Sequence, residues 1–160
     1  MLDQLVTAPS RVERFETVVI GAGQAGLATG YHLAKYDADF VILDRAAELG
    51  ESWRSRWDSL RLFTPARYSS LPGMPFPAPS YHLPDKDEVA AYLAEYARRF
   101  DLPVRGNSAV DALDWNGTRF RLTVGEQRIE ADQVVVATGA FAQPVIPKGA
   151  ERLAPRHPAD

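Results

Sequence analysis

The stretch VVIGAGQAGLATG, Val18 to Gly30, restricts the possible folds more than any other part of this 160-residue chain. The run ETVVI, Glu16 to Ile20, is apolar, β-branched and halted by glycine, the pattern of a buried parallel strand. Gln24 to Tyr36 is rich in Ala and Leu and free of proline, so it reads as a helix. DFVILD, Asp39 to Asp44, reads as a second buried strand. Strand, helix and strand with short joints make a βαβ unit, which is right-handed when the two strands lie parallel in one sheet.

The first joint carries Gly21, Gly23 and Gly26 as G-x-G-x-x-G, with Ala22, Gln24 and Ala25 between them. The pattern is weak alone. After a strand, before a helix and inside a βαβ unit it points to a dinucleotide. Gly21 permits the tight turn, Gly23 lets a pyrophosphate approach the backbone, and Gly26 lets the helix pack on the strand. Amides at the helix N-terminus then face the phosphates. Asp44 follows 18 residues after Gly26 and suits a ribose diol. It would repel a 2′-phosphate, which favours FAD or NAD over NADP, although the neighbouring Arg45 weakens that exclusion. The competing reading of Asp44 is a strand-end cap.

Further on, DQVVVATGA, Asp132 to Ala140, reads as another buried strand, ending in small residues. Ala137, Thr138 and Gly139 would let a ligand approach at the C-terminal edge of the sheet, where open α/β sheets bind their ligands. Between the two motifs, Gly50 to Tyr81 loses periodicity. Around Trp53 and Trp57 it reads as one helical turn, then an extended piece. Prolines at 72, 75, 77, 79 and 84 exclude an interior helix or strand, so a semi-rigid loop with one buried side is expected. DKDEVAAYLAEYARRF opens with a capping box, Asp85 and Glu88, and places Val89, Leu93, Tyr96 and Phe100 on one apolar face. LPVRG reads as a short third strand. Ser108 to Glu130 reads as two or three strands with turns at Asn116-Gly117 and Gly125-Glu126.

Composition closes several function classes. The net charge of −3 gives no electrostatic case for nucleic acid or an anionic membrane. With no cysteine, the chain has no disulfide, thiolate metal site or dithiol redox centre, which fits a reducing, cytoplasmic setting. His32, His82 and His157 lack ligand spacing, so no metal site is expected. The first fourteen residues lack the apolar core of a secretory signal and read as a poorly ordered leader. No apolar run is long enough to span a bilayer. Tyr31 and Lys35 match the Tyr-x-x-x-Lys pair of short-chain dehydrogenases, but they fall in the helix after the glycine loop and read as packing residues. A non-catalytic dinucleotide-binding module and an NAD-dependent dehydrogenase are the alternatives to a flavoenzyme. The dehydrogenase ranks last for want of a placed Tyr-Lys or His-Asp set.

Taken together, VVIGAGQAGLATGYHLA, FVILDRAAELGESWRSRWDSLRLFTPARYSSLPGMPFP, VAAYLAEYARRF and VVVATGAFAQPVIP resemble the N-terminal part of flavin-containing monooxygenases, in particular the bacterial and plant indole-pyruvate-monooxygenase-like branch. The resemblance runs from about Glu16 to Pro155. It implies an α/β fold, a Rossmann-like parallel sheet with a β-meander crossover of the glutathione-reductase-like kind, here incomplete. Residues 15–145 would form the FAD-binding domain and 146–160 a tail. It implies FAD held by Gly21, Ala22, Gly23, Gln24, Ala25, Gly26, Asp44 and Arg45 on the ADP side. Ser52, Trp53, Leu62 and Thr64 would lie towards the flavin, the Val110 backbone near adenine, and Ala137, Thr138 and Gly139 against the cofactor. NADPH would reduce the flavin, and one oxygen atom would pass to a small organic substrate. Gly50-Glu51-Ser52-Trp53 departs from the two glycines common before that Trp, and Phe63 replaces an Asn found in animal-type members. A second G-x-G-x-x-G, for NADPH, does not occur in the chain. The chain ends at ERLAPRHPAD, just before those elements are due, so a truncated copy is expected, with self-association through an uncovered sheet.

Overall fold

The computed structural model describes residues 12–140 and 145–149. The βαβ unit forms from β1 (Glu13–Ile20), α1 (Gln24–Lys35) and β2 (Phe40–Leu43). β1 begins at Glu13 rather than Glu16, because Glu13, Arg14 and Phe15 pair with Ile129, Glu130 and Ala131. Then follow α2 (Glu51–Arg54), a 3-10 turn at Ala66–Tyr68, α3 (Lys86–Arg99), β3 (Val104–Arg105), β4 (Ala112–Trp115), β5 (Phe120–Val124) and β6 (Gln127–Val136). The six strands form one sheet in the order β3-β2-β1-β6-β5-β4. The first four are mutually parallel, and β6, β5 and β4 are antiparallel.

Residue alternation divides the core between the two faces of this sheet. Val19 and Ile42 pack with Leu27 of α1 and with Val89, Leu93 and Tyr96 of α3. Val18, Val41 and Leu43 pack with Leu122, Val124, Ile129 and Ala131. Such buried-on-both-sides strands are what the unbroken apolar runs predict. α3 carries the expected capping box: the Asp85 side chain accepts from the amides of Asp87 and Glu88, and the Glu88 carboxylate accepts from the Asp85 amide.

The proline-rich segment is fixed to α3 by two phenols. Tyr92 accepts from the Leu71 amide and donates to the Met74 carbonyl, both at 2.6 Å, and Tyr96 donates to the Pro72 carbonyl at 2.6 Å. Met74 and Phe76 are buried, as a loop with one buried side requires. Burial, then the neighbouring Tyr92 and Tyr31, pushes the Tyr96 phenol up to about 12. Tyr92→Phe removes the partner of one half-buried amide and one buried carbonyl. It should lower the unfolding free energy by about 1–3 kcal/mol, read from the urea midpoint. An unchanged midpoint would show that water replaces the hydroxyl.

The expected turn at Asn116-Gly117 joins β4 to β5 as a hairpin. Trp115 pairs with Phe120, and Asn116 closes the four-residue loop with its side chain, accepting from the amides of Thr118 and Arg119. One expectation fails: the strand at Asp132 to Val136 is not buried throughout. It continues the last meander strand without a break, so β6 is one strand that leaves β5 behind. The β5 pairing stops at Ala131, opposite Phe120, while β1 pairs on to Val136. Among the described residues, Asp132 to Val136 therefore has a strand on one side only, and Val136 is 63% exposed.

Candidate nucleotide site

The C-terminal ends of β1 and β6 meet at the two motifs. The Ala137 amide donates to the Ile20 carbonyl at 2.8 Å, extending the β1–β6 ladder into the Ala-Thr-Gly segment. Gly21, with φ of 107°, turns the chain there. A Cβ built on Gly21 would lie 2.5 Å from the Ala137 carbonyl oxygen and 3.3 Å from the Thr138 Cα. The close approach of two backbones, not the turn alone, therefore demands glycine at this position.

The other two glycines divide into one packing role and one open face. A Cβ on Gly26 would come within 1.8 Å of the Gly21 carbonyl oxygen, so α1 can lie on β1 only with glycine there. A Cβ on Gly23 would meet nothing within 4 Å. Gly23 is the N-cap of α1 with φ of −81°, and no side chain caps the helix. Leu27 donates to the Gly23 carbonyl. Helix geometry leaves the amides of Gln24, Ala25 and Gly26 without an intrahelical acceptor. The first turn carries no acidic residue to repel an anion. An open cradle, free amides and the positive end of the helix suit a phosphate group.

Asp44 stands at the end of β2 and is half-buried. One carboxylate oxygen accepts from the Ala22 amide at 2.6 Å and the other from the Ala46 amide at 2.8 Å. Its side chain ties the glycine loop to the turn after β2, which makes it more than a strand-end cap. An ionised carboxylate has about four acceptor positions, so two remain for a ligand's hydroxyls. The turn at Gly106 to Ser108 locks the same region: the Asn107 amide donates to Ala46 and the Ser108 amide to Asp44. A Cβ on Gly106 would lie 2.6 Å from the Ala47 carbonyl oxygen. Neither Gly106 nor Ala46 was among the expected site residues. A glycine closing LPVRG was the available signal.

The remaining expected residues fall into two groups. Trp53 and Leu62 are half-buried and pack on the cluster that contains Ala22 and borders Ala137. Val110 is half-buried against the cluster on the opposite face, two residues after Ser108, whose amide donates to the Asp44 carbonyl. Arg45, Ser52, Thr64, Thr138 and Gly139 are exposed, with Ser52 on the first turn of α2 beside Trp53. Thr64 hydrogen-bonds within its own turn, to Ser69. Phe63 is 99% exposed, so the residue that departs from the animal-type pattern points away from the core. Tyr31 packs edge-on against Phe100, with ring centroids 4.7 Å apart, as a packing residue should. Among the described residues no cluster of three or more His, Cys, Asp or Glu could hold a metal ion, and no helix is long and apolar enough to cross a membrane.

The sequence pattern of the pyridine nucleotide-disulphide oxidoreductase family matches residues 18–158. The chain belongs to that family. Its sequence has no cysteine, so what it shares with the family is the nucleotide-binding fold and not a dithiol centre. It is 45% identical to an uncharacterized CzcO-like oxidoreductase of Geobacillus kaustophilus, over 86% of this chain and 40% of that protein. It is 36% identical to an indole-3-pyruvate monooxygenase of Arabidopsis thaliana, over 82% of this chain and 33% of that protein. Its fold superposes on a flavin-containing monooxygenase from Stenotrophomonas maltophilia with a TM-score of 0.81 and 38% identity, covering 86% of this chain and 42% of the other. The chain thus spans about two-fifths of the length of the bacterial CzcO-type relatives. The fold is the Rossmann-like sheet with a meander that the family uses for FAD or NAD(P).

Proposed function

We propose that the chain is the FAD-binding part of a flavin-dependent, NADPH-using monooxygenase that acts on a small organic substrate. One observation carries the reading: the Gly21 turn lies directly against Ala137, with Asp44 tied to the same loop through Ala22. Three separate stretches of sequence thereby converge on one open helix N-terminus. The monooxygenase names of the plant relative and the bacterial structure support the choice of FAD over NAD. In this reading the amides of Gln24, Ala25 and Gly26 hold the pyrophosphate and the Asp44 carboxylate takes the ribose hydroxyls. Arg45 flanks the ribose, the Val110 backbone lies near adenine, and Ser52, Trp53, Leu62 and Thr64 lie towards the flavin. Ala137, Thr138 and Gly139 present backbone to the cofactor. Bound FAD would supply the redox chemistry; the protein's own part is to bind, orient and exclude water. The glycine motif occurs once in the chain and is assigned here to FAD. Monooxygenase activity belongs, in this proposal, to the whole protein, as do a cytoplasmic location and self-association.

FAD titrated into the purified chain, followed by quenching of flavin fluorescence, tests the reading. Saturable binding is expected. Gly23→Ala, whose added methyl meets no protein atom, should weaken it at least about tenfold while leaving the urea midpoint in place. Absence of binding, or equal binding by the variant, would overturn the assignment.

A further inference from the structure

α2 is too short to stand alone. It has four residues, none of them buried, and isolated helices of that length do not form in water. Something outside it must hold Trp53. One contact is backbone packing, where a Cβ on Gly50 would lie 2.7 Å from the Ala90 Cα of α3. The other is Lys86, the first residue of α3. Its Nζ donates to the Arg54 carbonyl at 3.1 Å, the Arg56 carbonyl at 3.2 Å and the Asp58 carboxylate at 2.7 Å. An ammonium has three donors, so these acceptors use all of them. The Lys86 side chain is only 13% exposed, whereas that of Asp58 is 99% exposed. The buried stem and two carbonyl contacts point to a clamp rather than a surface ion pair. The clamp grips the chain just C-terminal to Trp53 and is tied back to it by the Arg56 amide, which donates to the Trp53 carbonyl. The hydrogen bond that Lys86 donates to the Asp58 carboxylate keeps its ammonium above the usual range, so it stays charged.

We propose that Lys86 is a positioning residue for the flavin-side half of the cofactor site, fixing the Trp53 turn from the N-terminus of α3. The proposal rests on the FAD reading above and adds to it a division of labour. Asp44 and the glycine loop serve the ADP half; Lys86 serves the other half without touching the ligand. Affinities for FAD and for ADP, measured on the wild-type chain and on Lys86→Met, test it. Lys86→Met should weaken FAD about tenfold and leave ADP within about twofold, because the ADP half does not depend on the clamp. Equal weakening of both ligands would mark Lys86 as merely structural, and no change in either would remove its role; both overturn the proposal. Wild-type chain that binds ADP but not FAD would instead overturn the FAD reading, and this proposal with it. Should Lys86→Met fail to melt cooperatively, Lys86→Gln, which keeps one pair of donors, is read by the same ratio.

Discussion

Gly26→Ala should unfold this domain or bring it close to unfolding, with a loss of more than about 3 kcal/mol. By helix propensity alone the change should stabilise α1 by about 1 kcal/mol, since Gly26 lies inside the helix. The contact geometry decides against that gain. The new methyl would fall 1.8 Å from the Gly21 carbonyl oxygen and 3.0 Å from its carbon. These are backbone atoms, held by the Gly21 amide's bond to Leu43 at 2.7 Å, so no rotamer change can relieve the overlap. α1 would have to lift from β1, and Leu27, fully buried beneath it, would lose its packing. Gly30→Ala offers the graded comparison. Its Cβ would lie 2.7 Å from the Ile42 Cδ1, the end of a flexible side chain, so a loss of about 1 kcal/mol is expected. Gly23→Ala should change stability by less than about 1 kcal/mol. Urea midpoints in the order Gly23→Ala, Gly30→Ala, Gly26→Ala, falling, would bear out these roles. A Gly26→Ala midpoint equal to that of the wild type would refute the close helix–strand packing.

How far this was legible in the sequence depends on the range of each signal. The βαβ unit, the capping box at Asp85 and the apolar face of α3 are local patterns, and each element formed within a few residues of its expected bounds. The two glycine-containing motifs were legible one at a time, and their pairing followed from parallel strands sharing one edge. What was hidden is where neighbours stop. Val134 to Val136 has the same apolar run whether one strand or two flank it, so the side of β6 that no described strand covers could not be read from the residues. Lys86 was equally silent. It looks like any first-turn lysine, and its partners lie at Arg54, Arg56 and Asp58 in a segment with no periodicity. The contacts at Gly50 and Gly106 fall in the same class: non-local backbone approaches that leave only a glycine as trace.

Asp44→Ala should produce the largest loss of ligand together with a measurable loss of stability, and the two can be separated. The carboxylate accepts from two backbone amides, Ala22 at 2.6 Å and Ala46 at 2.8 Å. Hydrogen bonds to a charged group contribute about 1.5–3 kcal/mol each in buried settings. Asp44 is half-buried and water can reach part of the gap, so the expected loss is nearer about 2 kcal/mol in total than the sum of both. Ligand binding loses more, because the same side chain pre-orders the Ala22 amide and supplies the ribose acceptor. FAD affinity should fall about 100-fold. Asp44→Asn separates the causes. Its oxygen can still accept from one amide, but its NH2 group faces the other donor, so stability recovers only in part. Neither variant carries the negative charge that opposes a 2′-phosphate, and Arg45 stands next to the vacated position. Both should therefore narrow the preference for ADP over its 2′-phosphorylated form, measured by competition against FAD. If Asp44→Asn keeps the wild-type preference, the carboxylate is a loop tie alone, and discrimination at the ribose must come from the backbone around Ala46 and Ser108.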